Sequence, residues 1–86
     1  MEAAHPFTRA AEIEARHVER EGHPIALLRS IDMGGRFTVV VEVFARDGKG
    51  AARMRPYSFA DAAGAAAFVD ETVSSFTLLG CDVRTM

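Results

Sequence analysis

Residues 36–59 read RFTVVVEVFAR (36–46), DGKG (47–50) and AARMRPYSF (51–59), which is a β-branched run, a turn and a second extended run. Valine, phenylalanine and threonine favour strands, and Asp-Gly between two such runs is typical of a tight hairpin. The alanine-rich segment that follows favours a helix. A hairpin followed directly by a helix predicts an α+β domain.

Side-chain alternation divides the hairpin into two faces. Phe37, Val39, Val41, Val43 and Ala45 share the face that we assign to the core. A two-residue turn at 47–48, or a four-residue loop at 47–50, pairs Glu42 with an arginine on the other face. A three-residue loop would place Val43 against Arg53, and we reject it on that ground. The predicted interaction face then contains Arg36, Val40, Phe44, Arg46, Arg53, Arg55 and Tyr57.

Further elements follow on both sides of the hairpin. Residues 25–33 predict a strand that Gly34-Gly35 joins to the strand over 36–46. The third strand covers about 51–57, and Pro56 favours an edge position because proline cannot donate to a ladder. The expected result is an antiparallel sheet of three or four strands.

A long helix is expected over residues 59–79 against this sheet. Ser58 and Asp61 form a capping-box pattern at its start, and Gly80 is a typical stop at its end. Residues 81–86 alternate and can add the fourth strand, which should run parallel to the strand over 51–57 through a right-handed crossover.

The N-terminal segment allows two interpretations. Residues 8–21 are mostly strong helix formers, and Phe7, Ala11, Ala15 and Val18 fall on one helical stripe. Every second residue from Ala11 to His17 also alternates with a charged one, as in a strand. We favour a helix over 8–21, and a strand remains the alternative.

Composition bounds the class of protein. The chain has 86 residues, 49% of them hydrophobic, and a formal net charge of −2, which fits a single domain over 1–86 with a flexible start at 1–7. Residues 25–59 carry six basic and three acidic residues, and both flanks are acidic. The chain shows neither a secretory signal pattern nor an apolar run of membrane-spanning length, so we expect a cytoplasmic protein.

Catalytic and metal chemistry find little support in the sequence. His5, His17, His23 and Cys81 match no zinc-ligand spacing, and Cys81 is typical of a small apolar residue at a strand start. We therefore expect no cofactor, no metal and no catalytic residue. Whether Cys81 or His17 has a chemical role stays open.

Three functions remain as hypotheses. The first is a non-catalytic interaction module, most simply a homodimer, that uses its sheet face or edge. The second is a single-stranded nucleic-acid binder in which the arginines and aromatic side chains of the interaction face contact phosphates and bases. The third is a small-ligand protein or enzyme with a pocket between sheet and helix, containing His17, Tyr57 or Cys81.

Overall fold

The computed structural model describes residues 11–45 and 52–85, which form one antiparallel sheet and one helix. The elements in chain order are β1 (Ala11–Arg20), β2 (His23–Asp32), β3 (Phe37–Val43), β4 (Arg53–Phe59), α1 (Ala62–Leu78) and β5 (Asp82–Thr85). The sheet order is β4-β3-β2-β1-β5. The α+β class is confirmed, with five strands where three or four were expected. The predicted flexible segment 1–7 lies outside the described residues.

The predicted N-terminal helix is wrong, because Ala11–Arg20 is strand β1. This strand pairs with β2 along its length and with β5 over Arg16–Glu19. The β1–β2 register shifts twice, at Ile13 of β1 and at Ile25 of β2, so the period-two pattern of β1 itself is interrupted at Ile13. Ladder bonds to two neighbouring strands outweigh a helix propensity of a few tenths of a kcal/mol per residue.

A two-residue turn joins β1 to β2. Glu21 and Gly22 have φ angles of 52° and 81° between the paired residues Arg20 and His23. Positive φ at both central positions is the signature of the tight turn whose twist matches that of the flanking strands. Gly22 therefore lies in a turn between two strands, immediately after the segment 8–21 for which we expected a helix.

The predicted turn at Gly34-Gly35 is confirmed. The Oδ1 atom of Asp32 accepts hydrogen bonds from the backbone N–H groups of Gly34, at 2.9 Å, and Gly35, at 3.3 Å. The N–H of Met33 donates to the carbonyl oxygen of Arg36 at 2.8 Å and closes the turn. This hairpin places β3 beside β2 over seven pairs, from Ala26↔Val43 to Asp32↔Phe37.

The register between β3 and β4 differs from both registers that we preferred. Val43 pairs with Arg53 and Val39 with Tyr57, which is the register of the rejected three-residue loop. The physical reason lies at the other end of β4, where Tyr57 and Phe59 turn toward Phe68 of α1 with ring centroids 4.7 and 5.4 Å apart. The gain from packing two aromatic rings against the helix outweighs the cost of placing Arg53 opposite Val43 on the face that we assigned to the core.

Helix α1 begins later than the capping-box pattern predicted. Ser58 remains in β4, and Asp61 is the N-cap, its Oδ1 accepting from the N–H of Gly64 at 2.7 Å. A Cβ atom at Gly64 would lie 3.2 Å from that carboxylate oxygen and 3.4 Å from the ring of Phe59. Packing therefore favours glycine at position 64, since the missing side chain lets the capping loop and β4 approach the first helical turn.

Removing the cap should destabilise the protein measurably. Asp61→Ala is expected to lower the free energy of unfolding by about 1 kcal/mol, because an N–H at the helix start loses its acceptor. Ser58→Ala is the control and should change it by less than about 0.5 kcal/mol, since Ser58 is an exposed strand residue. Urea unfolding followed by circular dichroism measures the free energy of unfolding of both variants. A larger decrease in that free energy for Ser58→Ala than for Asp61→Ala would contradict the assignment of Asp61 as the cap.

The helix crosses one face of the sheet from β3 and β4 toward β1 and β2. Near its start, Ala65 and Val69 pack with Val39 of β3. Near its end, Phe76 packs on a cluster that includes Val18 of β1 and Leu28 of β2. The chain then returns as β5, antiparallel to β1 and so parallel to β4; the predicted direction of the last strand is confirmed.

Candidate functional site: the open face of the sheet

The face of the sheet opposite α1, here called the open face, has no other described element packed on it. The register assigns residues to it, because directly paired side chains lie on the same side. Its members in β1 to β4 are Glu12, Ala15, His17, Leu27, Arg29, Ile31, Thr38, Val40, Glu42, Met54, Pro56 and Ser58. Phe44 continues this face, since its N–H donates to the carbonyl oxygen of Ile25 at 3.0 Å.

Apolar side chains share the middle of the open face with two charged residues, Arg29 and Glu42, which pair with Val40 and Leu27. Leu27, Ile31, Val40 and Phe44 are half-buried although no described element covers them, and Ala15 beside them is only 4% exposed. These side chains shield one another and are shielded by the longer polar chains around them. An uncovered group of apolar side chains with polar side chains beside it is typical of a protein interaction surface.

Charged side chains of β1, β2 and β5 are paired with one another on the open face. The Nε atom of Arg29 lies 2.8 Å from Oε1 of Glu12. The carboxylate of Glu19 lies 3.1 Å from Nδ1 of His17 and 3.4 Å from a guanidinium nitrogen of Arg84. Such exposed pairs add little stability, but they neutralise the β1–β2–β5 half of the open face.

The predicted interaction face is divided by the structure. Val40 and Phe44 lie on the open face, and Arg36 is exposed in the turn before β3. Arg53, Arg55 and Tyr57 lie on the helix side instead, as the partners of Val43, Val41 and Val39. Arg46 lies outside the described residues. The arginine–aromatic grouping is therefore corrected, and its cause is the register of β4.

Other members of the open face were missed in the sequence. Leu27 and Ile31 alternate with buried Ala26, Leu28 and Ser30. The period-two alternation of β2 could therefore have identified them as residues of the opposite face. Ala15 was missed because we assigned its segment to a helix. The alternation from Ala11 to His17 supported the strand that we kept as the alternative, although the bulge at Ile13 obscures which face each residue takes.

The polar groups of the proposed sheet–helix pocket are not brought together. The ring of Tyr57 stacks on Phe68, and Cys81 packs against the cluster of Val18, Ala26 and Leu28. His17 lies on the open face beside Glu19. Within residues 11–45 and 52–85, no three histidine, cysteine, aspartate or glutamate side chains are grouped so that they could hold a metal ion.

In the described part of the chain, no helix has both the length and the apolar character needed to cross a membrane. The sequence matches no protein-family model, and comparisons with curated proteins and with solved structures found no significant match.

Proposed function

We propose that the protein is a non-catalytic interaction module that forms a homodimer through the open face. The observation that carries this proposal is a group of half-buried apolar side chains that no described element covers, namely Leu27, Ile31, Val40 and Phe44. A second copy placed against it would form two stacked sheets about 10 Å apart, with the helices on the outside. The small core of an 86-residue chain gains from such burial.

The size of the face is adequate for a dimer. Five strands about 4.8 Å apart and seven residues of about 3.3 Å each span roughly 24 by 23 Å, or on the order of 550 Å² in projection. The accessible area of a side-chain surface exceeds its projection. The face therefore approaches the roughly 600–1,000 Å² per partner that stable interfaces bury.

Charge favours a second copy over a polyanion. The ion pairs of Glu12 and Glu19 neutralise one half of the face, and Glu42 is the charged residue among the face's β3 and β4 members. Arg53 and Arg55, which a nucleic-acid site would need, lie on the other side of the sheet. Two nearly neutral apolar faces do not repel each other, whereas phosphates require a positive surface.

The edges of the sheet are less suitable than its face. Pro56 removes one N–H donor from the middle of edge strand β4, and edge strand β5 has four residues. Short strands and prolines are devices that protect edges from pairing with another chain. Self-association through the face therefore uses the larger continuous surface.

A pair of valine substitutions tests the proposal. Val40→Asp places a carboxylate in the middle of the open face and should reduce self-association by at least about 100-fold. The cross-strand neighbour Arg29 is already paired with Glu12, so it would offset little of the cost of burying the new charge in an interface. Val43→Asp is the matched control on the same strand. Val43 lies on the helix side and is 44% exposed, so the control should dimerise like the original chain.

Light scattering at several concentrations measures the result. A mass near twice the 9.3 kDa of the chain, independent of salt and lost only in Val40→Asp, would support the proposal. Circular dichroism verifies that both variants remain folded. A monomer at all concentrations, or equal loss in both variants, would contradict it; binding of single-stranded DNA that weakens with salt would favour the nucleic-acid alternative.

A further inference from the structure

A groove of about 360 Å³ runs along one flank of α1, on the opposite side of the sheet from the open face. Its lining residues are Phe68, Glu71, Thr72, Ser75, Phe76 and Leu79. The lining extends over three helical turns, which correspond to about 16 Å at about 1.5 Å per residue. A shallow groove of this length fits a rod better than a compact small molecule.

The surface of the groove is mostly carbon. The rings of Phe68 and Phe76 are half-buried, and Leu79 is 65% exposed. The hydroxyl of Thr72 donates to the carbonyl oxygen of Phe68 at 2.8 Å, and that of Ser75 donates to the carbonyl oxygen of Glu71 at 3.0 Å. Both hydroxyl protons are engaged by the helix backbone, so among the described lining residues the charged group is the carboxylate of Glu71.

The helix itself is acidic. Between Ala62 and Leu78 it contains Asp70 and Glu71 and no lysine or arginine. A second copy of α1 in the groove would bring like charges together, which disfavours that occupant. Arg53 and Arg55 lie on the same side of the sheet but do not line the groove. A ligand with positive charge along one flank would therefore be attracted by placing that flank next to Glu71.

We infer that the groove of α1 binds an amphipathic helix of a partner protein, with its apolar face on Phe68, Phe76 and Leu79 and a basic flank against Glu71. An apolar helix face seated in a hydrophobic groove is a recurring mode of peptide recognition. Complementary charge then selects the partner and its orientation. This surface is separate from the open face, so a dimer formed through the sheets would present two such grooves outward.

The first experiment uses synthetic probes. A peptide of about 18 residues, with leucine on one helical face and lysine elsewhere, is titrated with the full-length protein and followed by fluorescence anisotropy. Two control peptides replace lysine with glutamate or scramble the leucine pattern. We expect binding of the amphipathic lysine peptide and affinities at least about tenfold weaker for both controls.

Two adjacent acids distinguish the groove from general charge attraction. Glu71→Lys and Asp70→Lys change the net charge equally, but Asp70 is not among the residues that line the groove. Glu71→Lys should weaken binding about tenfold, and Asp70→Lys by less than about threefold. Leu79→Ser against Leu78→Ser tests the apolar contact in the same way, because Leu78 is 88% exposed and does not line the groove.

The outcomes separate this inference from the proposed dimer. Equal effects of Glu71→Lys and Asp70→Lys, or equal binding of the glutamate peptide, would overturn the inference. Val40→Asp should retain peptide binding, whereas loss of binding in that variant would place the peptide on the open face and also overturn it. The groove variants Glu71→Lys and Leu79→Ser should leave the mass in solution unchanged, so either proposal can fail without the other.

Discussion

Leu28→Ala is expected to lower the free energy of unfolding by about 3 kcal/mol, because it leaves a cavity in a core that has few large side chains. Leu28 is 1% exposed and packs with Val18 and Ala26 beneath Phe76 of the helix. A domain of this size has a total stability of roughly 4–13 kcal/mol. The substitution therefore removes a large share of it and should shift the urea midpoint strongly.

The matched control is the same substitution at Leu78. That side chain is 88% exposed on α1, so Leu78→Ala should change the free energy of unfolding by less than about 0.5 kcal/mol. Urea unfolding by circular dichroism is measured at one protein concentration for all variants, since self-association would add to apparent stability. Similar losses at the two positions would mean that Leu28 is not at the centre of the core.

The parts of the fold that local chemistry specifies could be predicted from the sequence. The Gly34-Gly35 turn, the valine-rich strand that follows it and the long alanine-rich helix all have strong local signals. Each is present within one to three residues of its expected bounds in the described part of the chain. Turn glycines and uninterrupted periodicity make such elements recognisable without knowledge of tertiary contacts.

Strand β1 could not be predicted in this way, because long-range pairing determines its structure. Ala15 and Val18 are buried three residues apart, which suggests a helix, yet they lie on opposite faces of the sheet. The register pairs Ala15 with Arg29 of the open face and Val18 with Ala26 beneath α1. One face of such a strand is covered by the helix, and side chains on its other face are partly buried by their neighbours. Its sequence therefore does not require a simple alternation of apolar and polar residues.

The candidate site was predicted only in part, because a one-residue difference in register transfers a whole strand to the other face. Val40 and Phe44 were placed correctly from β3 alone. The assignment of Arg53, Arg55 and Tyr57 depended on the loop length between β3 and β4, and the loop sequence allows several. The deciding contact is between Tyr57 and Phe68, and a hairpin considered without its helix cannot reveal it.

Phe68→Ala is expected to lower the free energy of unfolding by about 2–3 kcal/mol and to expose Tyr57 to solvent. Phe68 is the shared ring in two aromatic contacts, with Tyr57 and with Phe59, so its removal takes away both ring pairs and the apolar area they cover. The chain has one tyrosine and no tryptophan. Its intrinsic fluorescence therefore reports on Tyr57, and acrylamide should quench this emission more efficiently in the variant.

Quenching of Tyr57 also distinguishes the observed register of β4 from the two registers that we preferred from the sequence. In the observed register Tyr57 lies beneath α1, so removing Phe68 uncovers it; with a two- or four-residue loop Tyr57 would lie on the open face, and Phe68→Ala would leave its quenching unchanged. Ser58→Ala is the control, because Ser58 is next to Tyr57 but pairs with Thr38 on the open face. Unchanged quenching in a folded Phe68→Ala protein would return Arg53 and Arg55 to the open face and restore the basic surface that a nucleic acid requires.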